Sequence, residues 1–269
     1  MPYDIVVCVK QVPDTANITS DAMTPEGTVN RSALPAIFNP EDLHALETAL
    51  EIKDRFGGTV TCVTMGLPKA ANVLRECLYR GADRVILLTD RRAAASDTLA
   101  TSYILSQVVK TVGKFDIVLC GRQAIDGDTA QVGPQIAEKM HLPQVTYVQK
   151  FEISEDYKKV TVQRQLEDGY EIIEVATPCM LTCIKELNNP RYMTVSGIVK
   201  ACKPDAPIYV KSAKDVECDL TKVGLEASPT VVFRSFTPAP KAPGQIIKGE
   251  DERELSKNLL AKLKEKHAI

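Results

Sequence analysis

Short apolar runs alternate with amphipathic stretches through the first half of the chain. The apolar runs predict strands at residues 5–9, 59–65, 84–88 and 115–120, with a further strand near Val145. Helical spacing of apolar residues predicts helices over residues 41–56, 68–80 and 129–140, and from the Ser96–Asp97 cap to about residue 112. Strands that are apolar on both faces and alternate with helices indicate an α/β fold: a doubly wound, mainly parallel sheet with helices on both faces.

The pattern changes to a period of two after residue 147. This change predicts a β-rich extension with antiparallel strands at residues 147–153, 159–166 and 170–175, turns at 154–156 and 167–169, and another buried strand at 180–184. Beyond Leu187 the periodicity ends and prolines recur, which predicts an extended C-terminal arm. The arm ends in a helix at about residues 251–266, whose apolar stripe is Leu255, Leu259, Leu260 and Leu263.

Composition excludes several classes of protein. The 269 residues carry 33 Lys and Arg against 35 Asp and Glu, and this net charge of −2 argues against a dedicated nucleic-acid-binding protein. No apolar run approaches the roughly 20 residues of a membrane span, and the N-terminus lacks the basic start of a signal peptide. Eight cysteines without a CxxC pair and three histidines without ligand spacing predict no metal site, and free thiols predict a reducing, cytoplasmic location.

The loop after the fourth predicted strand, residues 121–134, is the richest in candidate chemistry. Ligands of open parallel sheets bind at the carboxyl ends of the strands. Asp128 and Gln131 fit a capping box, which would leave the amides of residues 129–131 pointing outward to a phosphate or pyrophosphate. A well-capped helix without a ligand explains the same residues equally well. We expect Asp126 and Asp128 to cap backbone amides or bind a ribose hydroxyl, because either carboxylate would repel a phosphate that it faced.

The sequence lacks several motifs of enzymes and of nucleotide or metal sites. The GxGxxG and P-loop phosphate motifs are absent, as are the GxSxG elbow and the HExxH zinc motif. The Asp–Gly–Asp at residues 126–128 lacks the further oxygen ligands of a calcium loop. Asn39 precedes the first predicted helix and is expected to be its N-cap. The chain is therefore expected to bind and hold a ligand rather than to perform acid–base chemistry with its side chains.

Four stretches carry a family resemblance: residues 6–14 (VVCVKQVPD), Asn39–Pro40, residues 121–128 (GRQAIDGD) and residues 187–192 (LNNPRY). Together they resemble the β subunit of electron-transfer flavoproteins, and the similarity covers essentially the whole chain. The resemblance implies a Rossmann-like nucleotide-binding domain at residues 1–186 and a heterodimer with a larger α subunit.

Two branches of this family differ in the nucleotide of the β subunit. In the ordinary branch the β subunit holds a structural AMP, and the complex shuttles electrons from or to a dehydrogenase. In the bifurcating branch it holds an FAD that accepts hydride from NADH. One electron then goes to ferredoxin or flavodoxin, and the other goes through an FAD of the α subunit to an acyl-CoA dehydrogenase or similar flavoenzyme.

The loop DGDTAQVGP resembles the bifurcating branch, because Gly127 and Ala130 are small and Thr129 can donate to a second phosphate. FAD is therefore expected here, with AMP as the alternative. A second alternative is a non-redox adenine-nucleotide-binding protein of the same fold, a class that lacks the LNNPRY segment and the Pro-rich tail.

The resemblance also assigns roles to residues. It implies nucleotide contacts at Cys8, Lys10, Asn39, Pro40, Glu41, Asp42, Met65, Gly121, Arg122, Gln123, Ala124, Ile125, Asp126, Gly127, Asp128, Thr129, Ala130, Gln131 and Val132. Residues 187–203 resemble the family's partner-recognition loop, with Val195 as the aliphatic anchor and Arg191 and Lys200 as basic contacts. Residues 204–269 are expected to form a Pro-rich arm whose terminal helix docks on the α subunit. No catalytic side chain is implied.

Overall fold

Strands and helices alternate along the chain as the apolar pattern predicts. The computed structural model describes residues 2–14, 35–154, 158–231, 233 and 243–269. Its strands are β1 (Tyr3–Cys8), β2 (Gln11–Pro13), β3 (Ala36–Phe38), β4 (Gly58–Met65), β5 (Arg84–Leu88), β6 (Ile117–Gly121), β7 (Gln144–Ile153), β8 (Lys159–Gln165), β9 (Tyr170–Ala176), β10 (Cys179–Cys183) and β11 (Ile208–Lys211). Its helices are α1 (Pro40–Phe56), α2 (Ala71–Arg80), α3 (Thr98–Lys110), α4 (Val132–Met140), α5 (Val195–Ala201) and α6 (Glu252–Glu265). None of these helices combines the length and the apolar character needed to cross a membrane.

Among the described residues, nine strands form one sheet in the order β11–β5–β4–β1–β6–β10–β7–β8–β9. Neighbouring strands from β11 to β7 pair in parallel, and β7, β8 and β9 continue the sheet as antiparallel neighbours. Strand β1 is central, because the chain first adds β4 and β5 on one side of it and then returns to add β6 on the other. The predicted α/β fold, with its parallel sheet and β-rich extension, is confirmed.

Alternating side chains of the central strands form two hydrophobic layers. Ile5 and Val7 of β1 pack in the layer that includes α1 and α2, whereas Val6 and Cys8 pack in the layer that includes α3 and α4. All four side chains are at most 8% exposed. Helices therefore cover both faces of the parallel sheet, as central strands that are buried on both faces require.

Local differences from the predicted elements arise within the first 186 residues. The helix predicted from residue 68 begins as a 3₁₀ turn at Pro68–Ala70 and continues as α2. The strands predicted near Val145 and at residues 147–153 are one strand, β7, with an irregularity in its pairing to β10. Part of the turn predicted at residues 154–156 lies outside the described residues, as do Pro238 and Pro240 of the arm.

The chain beyond Leu187 contains more regular structure than its lack of periodicity predicts. Helix α5 packs against α2, and β11 extends the sheet beside β5. The chain divides into two compact units, Met1–Arg234 and Ser235–Ile269, and the division into a nucleotide-binding domain and an arm after residue 186 stays a prediction. In that second unit Asp251 caps α6 by accepting from the amide of Glu254 at 2.7 Å. Docking of α6 on an α subunit stays a prediction.

Candidate functional site

The sheet reverses its strand order between β1 and β6. Cys8 at the end of β1 is in register with Cys120 of β6, and the chain continues from these strands to helices on opposite faces of the sheet. Open α/β sheets bind ligands in the crevice that such a reversal creates. The structure therefore brings the loops after β1 and β6, which hold most of the predicted site residues, to one place.

Asp42 joins the two strand ends. Its carboxylate accepts the backbone amide of Lys10 at 2.8 Å and that of Gly121 at 3.1 Å. Asp42 is buried, and burial raises its pKa to about 7, although the hydrogen bonds from Asn39, Lys10 and Gly121 oppose the shift. Each carboxylate oxygen already accepts a backbone amide, so the geometry gives Asp42 a structural role: it holds the loops after β1 and β6 together.

Two more residues at the start of α1 hold the loop that follows β6. Glu41 accepts the Arg122 guanidinium at 2.6 Å and the amide of Gln123 at 2.9 Å. Asn39 is fully buried; its Nδ2 donates to the carbonyl of Gln123 at 2.9 Å, and its Oδ1 accepts from the amide of Ile125 at 3.2 Å. Asn39 occupies the N-cap position of α1 as predicted, but its side chain caps no backbone amide of the helix and binds the loop instead.

The two glycines of the loop have different surroundings. A Cβ at Gly121 would lie 2.5 Å from Oδ1 of Asp42 and 2.7 Å from the backbone of Glu41. A Cβ at Gly127 would meet nothing within 4 Å. Gly121 is therefore required for the close approach of β6 to α1, whereas Gly127 borders open space.

The helix after the loop starts later than predicted. Helix α4 begins three residues further along, because Asp128 and Ala130 have left-handed φ angles of 50° and 51° that an α-helix cannot include. The predicted capping box is wrong for the same reason. Oδ1 of Asp128 instead accepts from the side-chain amide of Gln123 at 2.7 Å, and Gln131 accepts the hydroxyl of Thr98 at 2.9 Å.

Three consecutive amides of the loop are available to bind an anion. The backbone N–H groups of Thr129, Ala130 and Gln131 donate no hydrogen bond to the described part of the chain. Where neighbouring residues adopt left- and right-handed conformations, their amides turn toward a common side and form a small concavity. Concavities of this kind bind phosphate. The φ angles of 51° at Ala130 and −103° at Gln131 fit this arrangement. The available amides at residues 129–131 thus belong to an irregular loop that precedes α4 rather than to a capped helix.

The acidic side chains of the loop are each bound by another side chain. Nζ of Lys10 lies 2.7 Å from Oδ1 of Asp126, and Asp128 accepts from Gln123. Neither carboxylate caps a backbone amide within the described chain, contrary to expectation, and a contact with a ribose hydroxyl stays a prediction. The Lys10–Asp126 pair reduces the negative potential around the available amides, which favours an anionic ligand there.

A cavity of about 130 Å³ lies between the loop after β1 and the end of β4. Met65 lines it together with Lys10 and Asp126, so this predicted residue is close to the loops just described. The thiols of Cys8 and Cys120 at the adjacent strand ends are buried. The hydrogen bond with Cys8 and burial raise the pKa of the Cys120 thiol, so it stays protonated at neutral pH and behaves as a small apolar group.

Residues 187–203 are held against α1 by an ion pair. Arg191 donates to Glu47 through its backbone amide at 2.8 Å and through Nη2 at 2.9 Å, and Nη2 also lies 2.9 Å from Asp54. The guanidinium of Arg80 donates to the carbonyl of Arg191. Arg191, predicted as a partner contact, is therefore bound within its own chain, and its guanidinium fixes the segment.

The amide of Asn188 adds a second attachment to α1. Its Nδ2 donates to the hydroxyl of Thr48 at 2.9 Å and to the carbonyl of His44 at 3.0 Å. Nδ1 of His44 lies 3.1 Å from the side-chain oxygen of Asn188. Glu47, Thr48 and His44 were not among the predicted site residues. Their partners are more than 130 positions away in the sequence, so no local motif could reveal them.

The same segment exposes large apolar side chains beside polar ones. Thr194 caps α5 by accepting from the amide of Gly197 at 3.0 Å. Val195 is 79% exposed and Tyr192 is 92% exposed, and Lys200 is also exposed. Large exposed apolar side chains on a fixed backbone are typical of a surface that binds another protein.

Comparison with known proteins identifies the family. The family model for the electron transfer flavoprotein domain matches residues 26–214. The chain is 52% identical to the caffeyl-CoA reductase-Etf complex subunit CarD of Acetobacterium woodii, over 98% of this chain and 99% of that protein. It is 48% identical to the electron transfer flavoprotein subunit beta of Clostridium acetobutylicum, over 99% of this chain and 100% of that protein. It is also 48% identical to the acryloyl-CoA reductase electron transfer subunit gamma of Anaerotignum propionicum, over 98% of this chain and 99% of that protein. Together with the fold and the crevice, these similarities show that the chain belongs to the electron transfer flavoprotein family, as a β-type subunit.

Proposed function

We propose that the chain is the β subunit of a heterodimeric, electron-bifurcating flavoprotein. In this proposal the crevice between β1 and β6 holds FAD, the cofactor that supplies hydride and single-electron chemistry when bound. NADH is the electron donor. The acceptors are ferredoxin or flavodoxin and, through the α subunit, an acyl-CoA dehydrogenase-like flavoenzyme. The observation that carries the proposal is the row of available amides at residues 129–131 beside the strand-order reversal.

The donors in the crevice fit a diphosphate. Thr129 contributes an amide and an exposed hydroxyl, and Ala130 and Gln131 contribute one amide each. Four donors on three residues can bind the two phosphates of FAD, and a single phosphate can accept the same number. The open space at Gly127 leaves room for the second phosphate and the groups beyond it, which AMP does not have. This space supports FAD over AMP.

The chain's own residues prepare the crevice before the ligand arrives. Asn39, Glu41 and Asp42 fix the backbone from Lys10 to the loop after β6 through buried or partly buried hydrogen bonds. Donors held in this way need little reorganisation when an anion binds. In this proposal Met65 and the strand-end backbone contact the adenine, and the position and redox potential of the cofactor depend on this scaffold.

Two surfaces of the chain suit protein partners. The exposed Val195 on the segment fixed by Arg191 is proposed as the anchor for the acceptor flavoenzyme. The relatives named for caffeyl-CoA reductase and acryloyl-CoA reductase complexes support a flavoenzyme of acyl-CoA substrates in that role. The exposed leucines of α6 are proposed to dock on the α subunit.

Nucleotide content of the copurified αβ complex tests the proposal. Two FAD per complex, with a flavin that NADH bleaches, are expected. One FAD and one AMP would overturn the bifurcating function and leave the ordinary electron-transfer role. A colourless ATP-binding homodimer would overturn the redox function altogether.

A matched pair of variants tests the phosphate site itself. Thr129→Glu places a carboxylate beside the available amides, whereas Thr129→Gln adds similar bulk without charge. We expect the Glu variant to purify with most of its β-site nucleotide lost and the Gln variant to retain most of it. Equal retention in the two variants would show that the phosphates bind elsewhere.

A further inference from the structure

Tyr147 lies next to the nucleotide loop, and the proposed function has not used it. Its φ of 58° is left-handed, a conformation that bulky side chains rarely adopt. It occurs where the pairing of β7 with β10 shifts register, and the amide of Tyr147 donates to the hydroxyl of Thr182 at 3.2 Å. Backbone strain of this kind persists only where the surrounding structure holds it.

The end of β10 brings Tyr147 and Arg122 together. Thr182 binds the amide of Tyr147 on one side, and the carbonyl of the next residue, Cys183, accepts the amide of Arg122 at 2.9 Å on the other. The side chains then meet, with the guanidinium carbon of Arg122 5.6 Å from the centroid of the Tyr147 ring. This distance lies within the range of a cation–π contact.

Arg122 has few other restraints. One ion pair joins its Nη2 to Glu41 at 2.6 Å, and its Nε is buried without a hydrogen-bond partner among the described residues. Glu41 also accepts the amide of Gln123, so the orientation of the guanidinium affects the first turn of the loop. The Tyr147 ring is thus the second group that restrains the guanidinium.

We infer that Tyr147 is a positioning residue of the nucleotide site and acts through Arg122. Its ring restrains the guanidinium, the guanidinium keeps Glu41 on the amide of Gln123, and the loop keeps its amides ready for phosphate. The inference rests on the proposed function, because it needs a nucleotide in this crevice. It applies whether that nucleotide is FAD or AMP.

Release of the bound nucleotide from the αβ complex tests this role. Tyr147→Leu removes the aromatic face, Tyr147→Phe keeps it, and Tyr170→Leu is a control at a 60% exposed tyrosine of β9. We expect about tenfold faster release from the Tyr147→Leu complex, the size of a typical cation–π contact, and wild-type release from the other two. Wild-type release from Tyr147→Leu, or failure of Phe to restore slow release, would overturn the inference.

A double variant shows whether Tyr147 acts through Arg122. Arg122→Gln removes the cation that the ring contacts. If the ring acts through that group, the complex carrying both Tyr147→Leu and Arg122→Gln releases nucleotide no faster than the one carrying Arg122→Gln alone. If the two substitutions instead multiply each other's effect on the release rate, the coupling between Tyr147 and Arg122 is refuted. A wild-type complex with no β-site nucleotide would overturn both proposals, whereas AMP in place of FAD would overturn only the bifurcating function.

Discussion

Adding one methyl group at Gly121 tests the close contact between β6 and the first turn of α1. The Cβ of Gly121→Ala would lie 2.5 Å from Oδ1 of Asp42 and 2.7 Å from the backbone nitrogen of Asp42 and the carbonyl carbon of Glu41. Two of these three neighbours are backbone atoms of the first turn of α1, which cannot rotate away. Ordinary contact begins near 3.4 Å, so strand and helix would have to separate by at least 3.4 − 2.7 = 0.7 Å.

Overpacking of this kind typically costs about 1–3 kcal/mol of unfolding free energy. In a domain of this size that corresponds to a fall in melting temperature of roughly 2–12 °C. The same movement lengthens the bond from the Gly121 amide to Asp42, which is already 3.1 Å. Gly121→Ala is therefore expected to lower stability and to speed the release of nucleotide.

Gly127→Ala is the matched control, because it makes the same change in the same loop where no atom lies within 4 Å. Denaturant unfolding of the full chain is expected to show less than about 0.5 kcal/mol of change for this variant. Two results would contradict the packing argument for β6 and α1. One is equal stability of Gly121→Ala and wild type, and the other is equal destabilisation by the two substitutions.

Three further outcomes follow from other contacts. Burial raises the pKa of Asp42 from 3.8 to about 7 in the folded chain. At pH values between these two pKa values the folded chain therefore binds more protons than the unfolded chain. The free energy of unfolding is expected to fall as pH rises through that window, by up to about 1.4 kcal/mol per pH unit from this group. Urea unfolding from pH 4 to 8 checks this, and an identical slope in Asp42→Asn would contradict it. Glu47→Gln removes the charge that Arg191 binds and is expected to cost about 1–3 kcal/mol and to increase proteolysis within residues 187–203, with nucleotide retained. Val195→Asp is expected to slow electron transfer to the partner flavoenzyme at least several-fold without loss of nucleotide, whereas Leu220→Asp, at another exposed site, keeps the wild-type rate.

The sequence predicts the central elements of the fold well because their signals are local. Strands β1, β5 and β6 each contain a run of four apolar residues, and α1 starts at a proline and is followed by a glycine, so the apolar pattern and the end signals agree. The short elements are different. Strand β11 has four residues and α5 has seven, and each forms against an existing element: β11 pairs with β5, and the amide of Thr194 binds the carbonyl of Tyr79 in α2. Such elements depend on tertiary contacts rather than on periodicity.

The predicted site shows the same division. The strand-end positions follow from the rule that parallel sheets bind ligands at their carboxyl edge, and this rule needs only the strand order. The capping box fails because its residues have other partners, Gln123 for Asp128 and Thr98 for Gln131, which only the folded loop brings near. The resemblance supplied Asn39 as a site residue, and the structure shows how its side chain ties the loop backbone at Gln123 and Ile125.

Helix α1 serves both proposed functional surfaces. Its first turn holds the nucleotide loop through Glu41 and Asp42, and its next turns hold the partner segment through Glu47 and Thr48. The two sets of contacts share no side chain, so a substitution in one set leaves the bonds of the other in place. A displacement of the whole helix affects both. Gly121→Ala is therefore expected to impair nucleotide retention and partner reaction together, whereas Glu47→Gln impairs the partner reaction alone. Loss of nucleotide from Glu47→Gln would show that the two sets of contacts are not independent.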